Sequence, residues 1–98
     1  MALLYISEYQ GARQVEGGLA QISQEPSVDQ TPVSFTTSTQ SAAFASGTKM
    51  IRVLSDANCH IVFGDSPVAT VNNKKLIANN VEYFGVIEGQ KVAAIVGT

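Results

Sequence analysis

From Pro32 onward the chain is a series of short runs rich in Val, Ile, Phe, Tyr and Thr, broken by clusters of Gly, Asn, Asp and Pro. The breaks recur roughly every ten residues, a spacing that suits strands joined by turns and leaves no room for regular helices. No apolar set at i, i+3, i+4, i+7 persists for a helix of ordinary length. The best candidate, from Val15 to Ile22, is split by its own Gly17-Gly18 pair. The expected fold class is all-β: a small β-sandwich of jelly-roll type with an extended N-terminal arm, its strands short and about six to eight in number.

Val33–Thr37 and Thr48–Ser55 alternate in character, with Ile51 and Val53 on the face opposite Met50, Arg52 and Leu54. Cys59–Phe63 follows the turn signal Asp56-Ala57-Asn58, so these last two runs are expected to form a hairpin. Val81–Val86 and Lys91–Val96 are expected to form another, joined around IEGQ. Lys75–Ile77 is a short strand candidate, and SAAFAS at 41–46 does not decide between strand and helical turn. Within the first 31 residues only 2–9, ALLYISEY, reads as a strand. The rest is rich in Gly and Gln, is broken by Pro26, and carries Glu8, Glu16, Glu25 and Asp29 against Arg13. The division expected is an arm over 1–31 and a sandwich over 32–98. An extended arm of this kind either frays in solution or lies across a neighbour; if it docks, its apolar tip can add a strand to a partner's open sheet edge, with Leu3, Leu4, Tyr5 and Ile6 as the candidate partner contacts.

Ninety-eight residues support one small domain with a thin core. Charged residues make up only 14% of the chain, about half the usual share. Either some surface faces a partner rather than water, or Ser, Thr, Asn and Gln supply the polarity. The net charge is -2, and Lys74-Lys75 is the only adjacent pair of cations, read as a solvated turn. Direct binding to nucleic acid is disfavoured, because neutralising phosphates needs clustered Lys and Arg. MALLYISEY lacks the basic start and long apolar run of a signal peptide, and no segment is apolar enough for a membrane helix. A single cysteine permits no internal disulfide and fits a protein made in a reducing cytosol.

That cysteine, Cys59, stands next to the only histidine, His60. The pair invites a nucleophile or a metal site. Neighbours on a strand point to opposite faces, however, so the two side chains do not meet. Zinc would need about four ligands, and a thiol nucleophile a base within reach. Cys59 groups with Ile61 and Phe63 and reads as a core residue, whereas His60 groups with Val62 and reads as a surface or interface residue. The nearest carboxylate pairs, Asp56 with Asp65 and Glu82 with Glu88, flank turns, where Asp is favoured anyway. FGDSP has one glycine and no following helix, and no hydrolase, zinc or calcium signature occurs. No catalytic, cofactor-binding or metal-binding residue is assigned. Tyr83 and Phe84 are adjacent on a strand, so one fills the core and the other faces outward.

KMIRVLSDANCHIVFGDSPVAT, together with LIANNVEYFGVIEGQKVAAIVGT, resembles short proteins encoded among the virion genes of tailed bacteriophages. The shared elements are the strand IRV, a turn with Asp or Ala, C-x-I-x-FG, P-x-AT, VEYFGV and GQKVA-I. They span roughly residues 33 to 95, with a weaker echo in LYISEY. Such proteins are similar to capsid cement, or decoration, proteins with a small jelly-roll fold. The resemblance implies a non-enzymatic virion structural protein, made in the host cytoplasm and bound to the capsid surface. Its partners would be the major capsid protein and further copies of itself in a homo-oligomer, with no membrane and no direct nucleic acid. A tail, head-fibre or adaptor component is the alternative within that class, and a carbohydrate-binding β-sandwich the alternative outside it.

Overall fold

The computed structural model describes residues 2–10, 12–14, 21–23 and 25–97. Among these there is no helix, and eleven strands are present. They are β1 (Ala2–Tyr9), β2 (Ala12–Gln14), β3 (Gln21–Ser23), β4 (Val28–Asp29), β5 (Val33–Phe35), β6 (Thr39–Gln40), β7 (Met50–Ser55), β8 (Cys59–Gly64), β9 (Lys74–Leu76), β10 (Val81–Gly85) and β11 (Lys91–Val96). The first sheet runs β10-β7-β1, with β4 and β5 sharing the far edge of β1. The second runs β6-β11-β8-β9, and β2 pairs with β3 in a small ribbon. Every pairing is antiparallel. The two larger sheets face each other across one core, so the molecule is an all-β sandwich.

Alternation in the sequence sets which side of each strand enters that core. Ala2, Leu4 and Ile6 of β1 meet Ile51 and Val53 of β7 from the first sheet. Cys59 and Ile61 of β8, Leu76 of β9, and Val92 and Ala94 of β11 come from the second. Each large aliphatic residue so buried contributes roughly 1.5–3 kcal/mol. Phe63 closes one end, its ring 6.5 Å from that of Phe44 and 5.2 Å from that of Phe84. In the final strands Phe84 is thus the inward aromatic and Tyr83 the outward one.

The arm, the start of the sandwich and both hairpins need correction. The strand at 2–9 is present, but it is no arm. β1 has β7 along one side and β4 and β5 along the other, making it the centre of the first sheet. Its inward residues Leu4 and Ile6 are almost fully buried in the chain's own core. The sandwich therefore begins well before residue 32. Of the best helical candidate, Val15 to Ile22, residues 15–20 lie outside the described part of the chain, and Gln21 and Ile22 belong to β3.

Neither expected hairpin forms. β7 pairs with β1 and β10, whereas β8 pairs with β9 and β11, so Asp56-Ala57-Asn58 carries the chain from one sheet to the other. The segment 86–90 does the same between β10 and β11. Turn chemistry identified a reversal in both places, but not whether the returning strand lies beside its predecessor or across the core from it. The crossing turn is held from both sheets. Asp56 Oδ1 accepts the Leu3 N–H at 2.8 Å, and Asn58 Oδ1 accepts the Ala78 N–H at 2.8 Å. Ser55, fully buried, donates its hydroxyl to Ala57 O at 2.7 Å.

Candidate functional site

The two outer faces of the sandwich differ, and the difference decides which is open to a partner. On the second sheet, the segment 65–73 folds back over the outside. Gln40 Nε2 donates to Pro67 O at 3.0 Å, and the Ala69 N–H donates to Ser38 Oγ at 2.8 Å. Pro67 and Ala69 are buried, as is Ala93 on the outward side of β11 opposite Gln40. This sheet face is covered by the chain itself.

His60 belongs to that covered face, which corrects its reading as a surface residue. It does point away from Cys59, as strand alternation requires, but it is 9% exposed. Nδ1 lies 3.0 Å from Asn73 O. A carbonyl only accepts, so Nδ1 carries the proton. A Cβ on Gly97 would collide with the ring, so the imidazole packs closely on that glycine. Cys59 is fully buried as expected, and burial pushes its thiol above its ordinary range, away from the reactive thiolate. Among the described residues no three His, Cys, Asp or Glu side chains cluster to hold a metal ion.

The first sheet is open on its outer side. Register places Tyr5, Leu54 and Val81 in one row across β1, β7 and β10. Asp29, Ser7, Arg52 and Tyr83 form the next row, across β4, β1, β7 and β10. Tyr5, Val81 and Tyr83 are 39%, 42% and 53% exposed. Arg52 is the one cation in these two rows. Its charge, after hydrogen bonds from Ser27 and Ser7, helps hold the Asp29 carboxyl below its ordinary range. A groove of about 380 Å³ crosses this face, lined by Tyr5, Ser7, Asp29, Pro32, Arg52 and Leu54. At the far end the face is closed over Tyr9, whose hydroxyl donates to Glu25 Oε2 at 3.0 Å. Burial, and then Glu25, raise the Tyr9 phenol above its ordinary range.

Of the four candidate contact residues, Leu4 and Ile6 are thus inside, while Leu3 and Tyr5 lie on the outer side of β1. The remaining members of the open face, Leu54, Val81, Arg52 and Tyr83, were not singled out together. Alternation alone marks them as outward, but only the cross-strand register assembles them.

The chain also has a buried polar junction. Glu8 is in phase with Leu4 and Ile6, so its carboxylate enters the interior, 3% exposed. Oε1 accepts the Ala45 N–H and the Thr48 hydroxyl, each at 2.7 Å. Oε2 accepts from Gln30 Nε2 at 2.8 Å. The carboxylate thereby ties the central strand to the 41–48 segment and to the residue that follows β4. Its phase was the available signal. With every carboxylate oxygen engaged by the chain, Glu8 reads as a structural tie.

Comparison with protein-family models, with curated proteins and with solved structures gave no match.

Proposed function

We propose that this chain is a non-enzymatic virion structural protein of a tailed bacteriophage, a capsid cement protein that binds the major capsid shell through the open face of its first sheet. The observation that carries the reading is the contrast between the two faces. The second sheet is covered by segment 65–73, which itself exposes Val68 and Val71, while the first sheet offers exposed Tyr5, Val81 and Tyr83 and half-buried Leu54 around a single arginine. Exposed apolar residues gathered on one flat sheet suit a protein surface rather than a small substrate. The resemblance of the 33–95 segment to virion proteins supplies the partner, and the jelly-roll type belongs to the same proposal. Many modest contacts repeated over a shell would reinforce it by avidity.

The test is co-sedimentation with shells of the encoding phage that lack the protein. Wild type is expected to bind at micromolar concentration, and Tyr5→Lys combined with Leu54→Lys to lose binding without loss of fold. Deleting residues 1–31 would be uninformative, because it removes the central strand. No binding by wild type would reject the reading, and binding to purified tails alone would favour a tail, fibre or adaptor role. A carbohydrate-binding function draws on the two exposed tyrosines, which could stack on sugar rings. A specific hit on a glycan array would favour it.

A further inference from the structure

We infer that β10 is a self-association edge, through which two copies of the chain join antiparallel about a two-fold axis at Tyr83. The argument does not rest on the capsid reading. β10 ends the first sheet, with β7 on one side and, among the described residues, no strand on the other. The Val86 N–H donates to Lys49 O at 2.9 Å, and antiparallel alternation then turns the N–H and C=O groups of Phe84 and Glu82 toward β7. Those of Val81, Tyr83 and Gly85 face the open side.

Natural edges are usually blunted by shortness, lysine, proline or a bulge. The other edge strands follow that rule. β4 and β6 have two residues each, β5 has three, and β9 has three, two of them lysines. β10 has five residues, VEYFG, with no lysine or proline. Its only charge is Glu82, which is half-buried on the inward side.

The sequence of β10 selects the register and the partner. Pairing Tyr83 with Tyr83 of the second copy makes three residue pairs, Tyr83–Tyr83, Val81–Gly85 and Gly85–Val81, each able to exchange two backbone hydrogen bonds. A Cβ on Gly85 would meet only Lys49 O, at 3.9 Å, so the position leaves space for the opposing valine. In this register Glu82 lies opposite Phe84 of the second copy. Lys74 Nζ sits 5.6 Å from the centre of that phenylalanine ring, so the lysine of each copy arrives beside the glutamate of the other. A slip of one step toward the strand start would set Glu82 against Glu82, which is unfavourable. A slip the other way would leave Val81 without a partner. Charge complementarity of this kind singles out a second copy over an arbitrary peptide.

Sedimentation velocity across 1–200 µM, with circular dichroism to confirm folding, tests this. Wild type is expected to dimerise. Glu82→Lys and Lys74→Glu alone should each weaken the dimer by about tenfold or more, by placing like charges together, and the double exchange should restore it. Tyr83→Pro removes an outward N–H that makes no bond to β7, so it should dissociate the dimer while leaving a folded monomer. A wild type that stays monomeric at 200 µM overturns the proposal, as does a dimer that survives all of these substitutions.

Discussion

The buried Glu8 junction offers the sharpest test of how the chain is tied together. Replacing Glu8 with Ala leaves three donors without their acceptor: the Ala45 N–H, the Thr48 hydroxyl and Gln30 Nε2. An orphaned buried donor costs about 1–3 kcal/mol, but the three are not equivalent. Thr48 is 3% exposed and bears the full loss. Ala45 is exposed, so its amide can turn to water. Gln30 Nε2 keeps its second bond, to Ala42 O at 3.2 Å. The variant is also relieved of desolvating a carboxylate, which works in the opposite direction. The balance is a loss of about 2–3 kcal/mol, a large part of what a domain of this size possesses. Thermal melting should fall by roughly 10–20 °C.

Glu8→Gln separates shape from charge. Its carbonyl oxygen can still accept from Ala45 and Thr48, but its amide nitrogen would confront that of Gln30, donor against donor. Flipping Gln30 only exchanges one mismatch for another, since Ala42 O then meets an acceptor. Glu8→Gln should therefore lie between wild type and Glu8→Ala, at about 1 kcal/mol of loss. Urea denaturation gives the ranking, and hydrogen exchange at the Ala45 amide gives a local reading, with protection lost in Glu8→Ala. A Glu8→Ala protein within about 0.5 kcal/mol of wild type would refute the reasoning, because a surface substitution costs no more than that.

Other consequences are equally direct. The Cys59 thiol is raised by burial from an ordinary value of 9.0, so the stability this represents is complete below pH 9 and is lost as pH climbs toward the folded value. Above pH 9 wild type should lose stability more steeply with pH than Cys59→Ala in urea titrations, by at most about 1.4 kcal/mol per pH unit. An identical slope in the two proteins would count against the buried thiol as the cause. Asn79 has φ of 64°, where a side chain without local hydrogen bonding is strained. Asn79→Val should cost about 1–2 kcal/mol by thermal melting and Asn79→Gly close to nothing, and equal effects would reject the strain. The face and edge substitutions described above complete the set, with shell binding and oligomeric state as their separate readouts.

Much of the architecture was legible as alternation. Ile51 and Val53 read as inward and Arg52 as outward because the side-chain period in a strand is two, and the burial of Met50–Ser55 follows that reading. Cys59 was legible in the same way. Pairing was not, because a turn such as Asp56-Ala57-Asn58 specifies reversal without specifying the sheet. His60 was misjudged because its cover, segment 65–73, is irregular and leaves no periodic trace. Leu4 and Ile6 were assigned to a partner because a short apolar strand next to a Gly-rich stretch looks the same whether it inserts into its own sheet or another's. The open face could not be assembled from sequence, since Tyr5, Leu54 and Val81 become neighbours only through register across three strands.

The sheet-switching turns have a kinetic consequence. Because β7 and β8 part company at Asp56, and β10 and β11 at 86–90, neither larger sheet contains, among the described residues, a tight hairpin to nucleate it. The nearest paired residues in those sheets, Ile61 and Lys74, are 13 apart, and β1 reaches β7 over separations as long as Leu4 to Ser55. Long loops must close before any of these contacts returns free energy, which places folding in the millisecond-to-second range typical of sandwiches. Until β7 arrives, β1 has the whole edge opposite β4 and β5 bare and an apolar side exposed. Refolding yield should therefore fall with protein concentration more steeply than native stability alone would suggest, as captured intermediates aggregate through that strand.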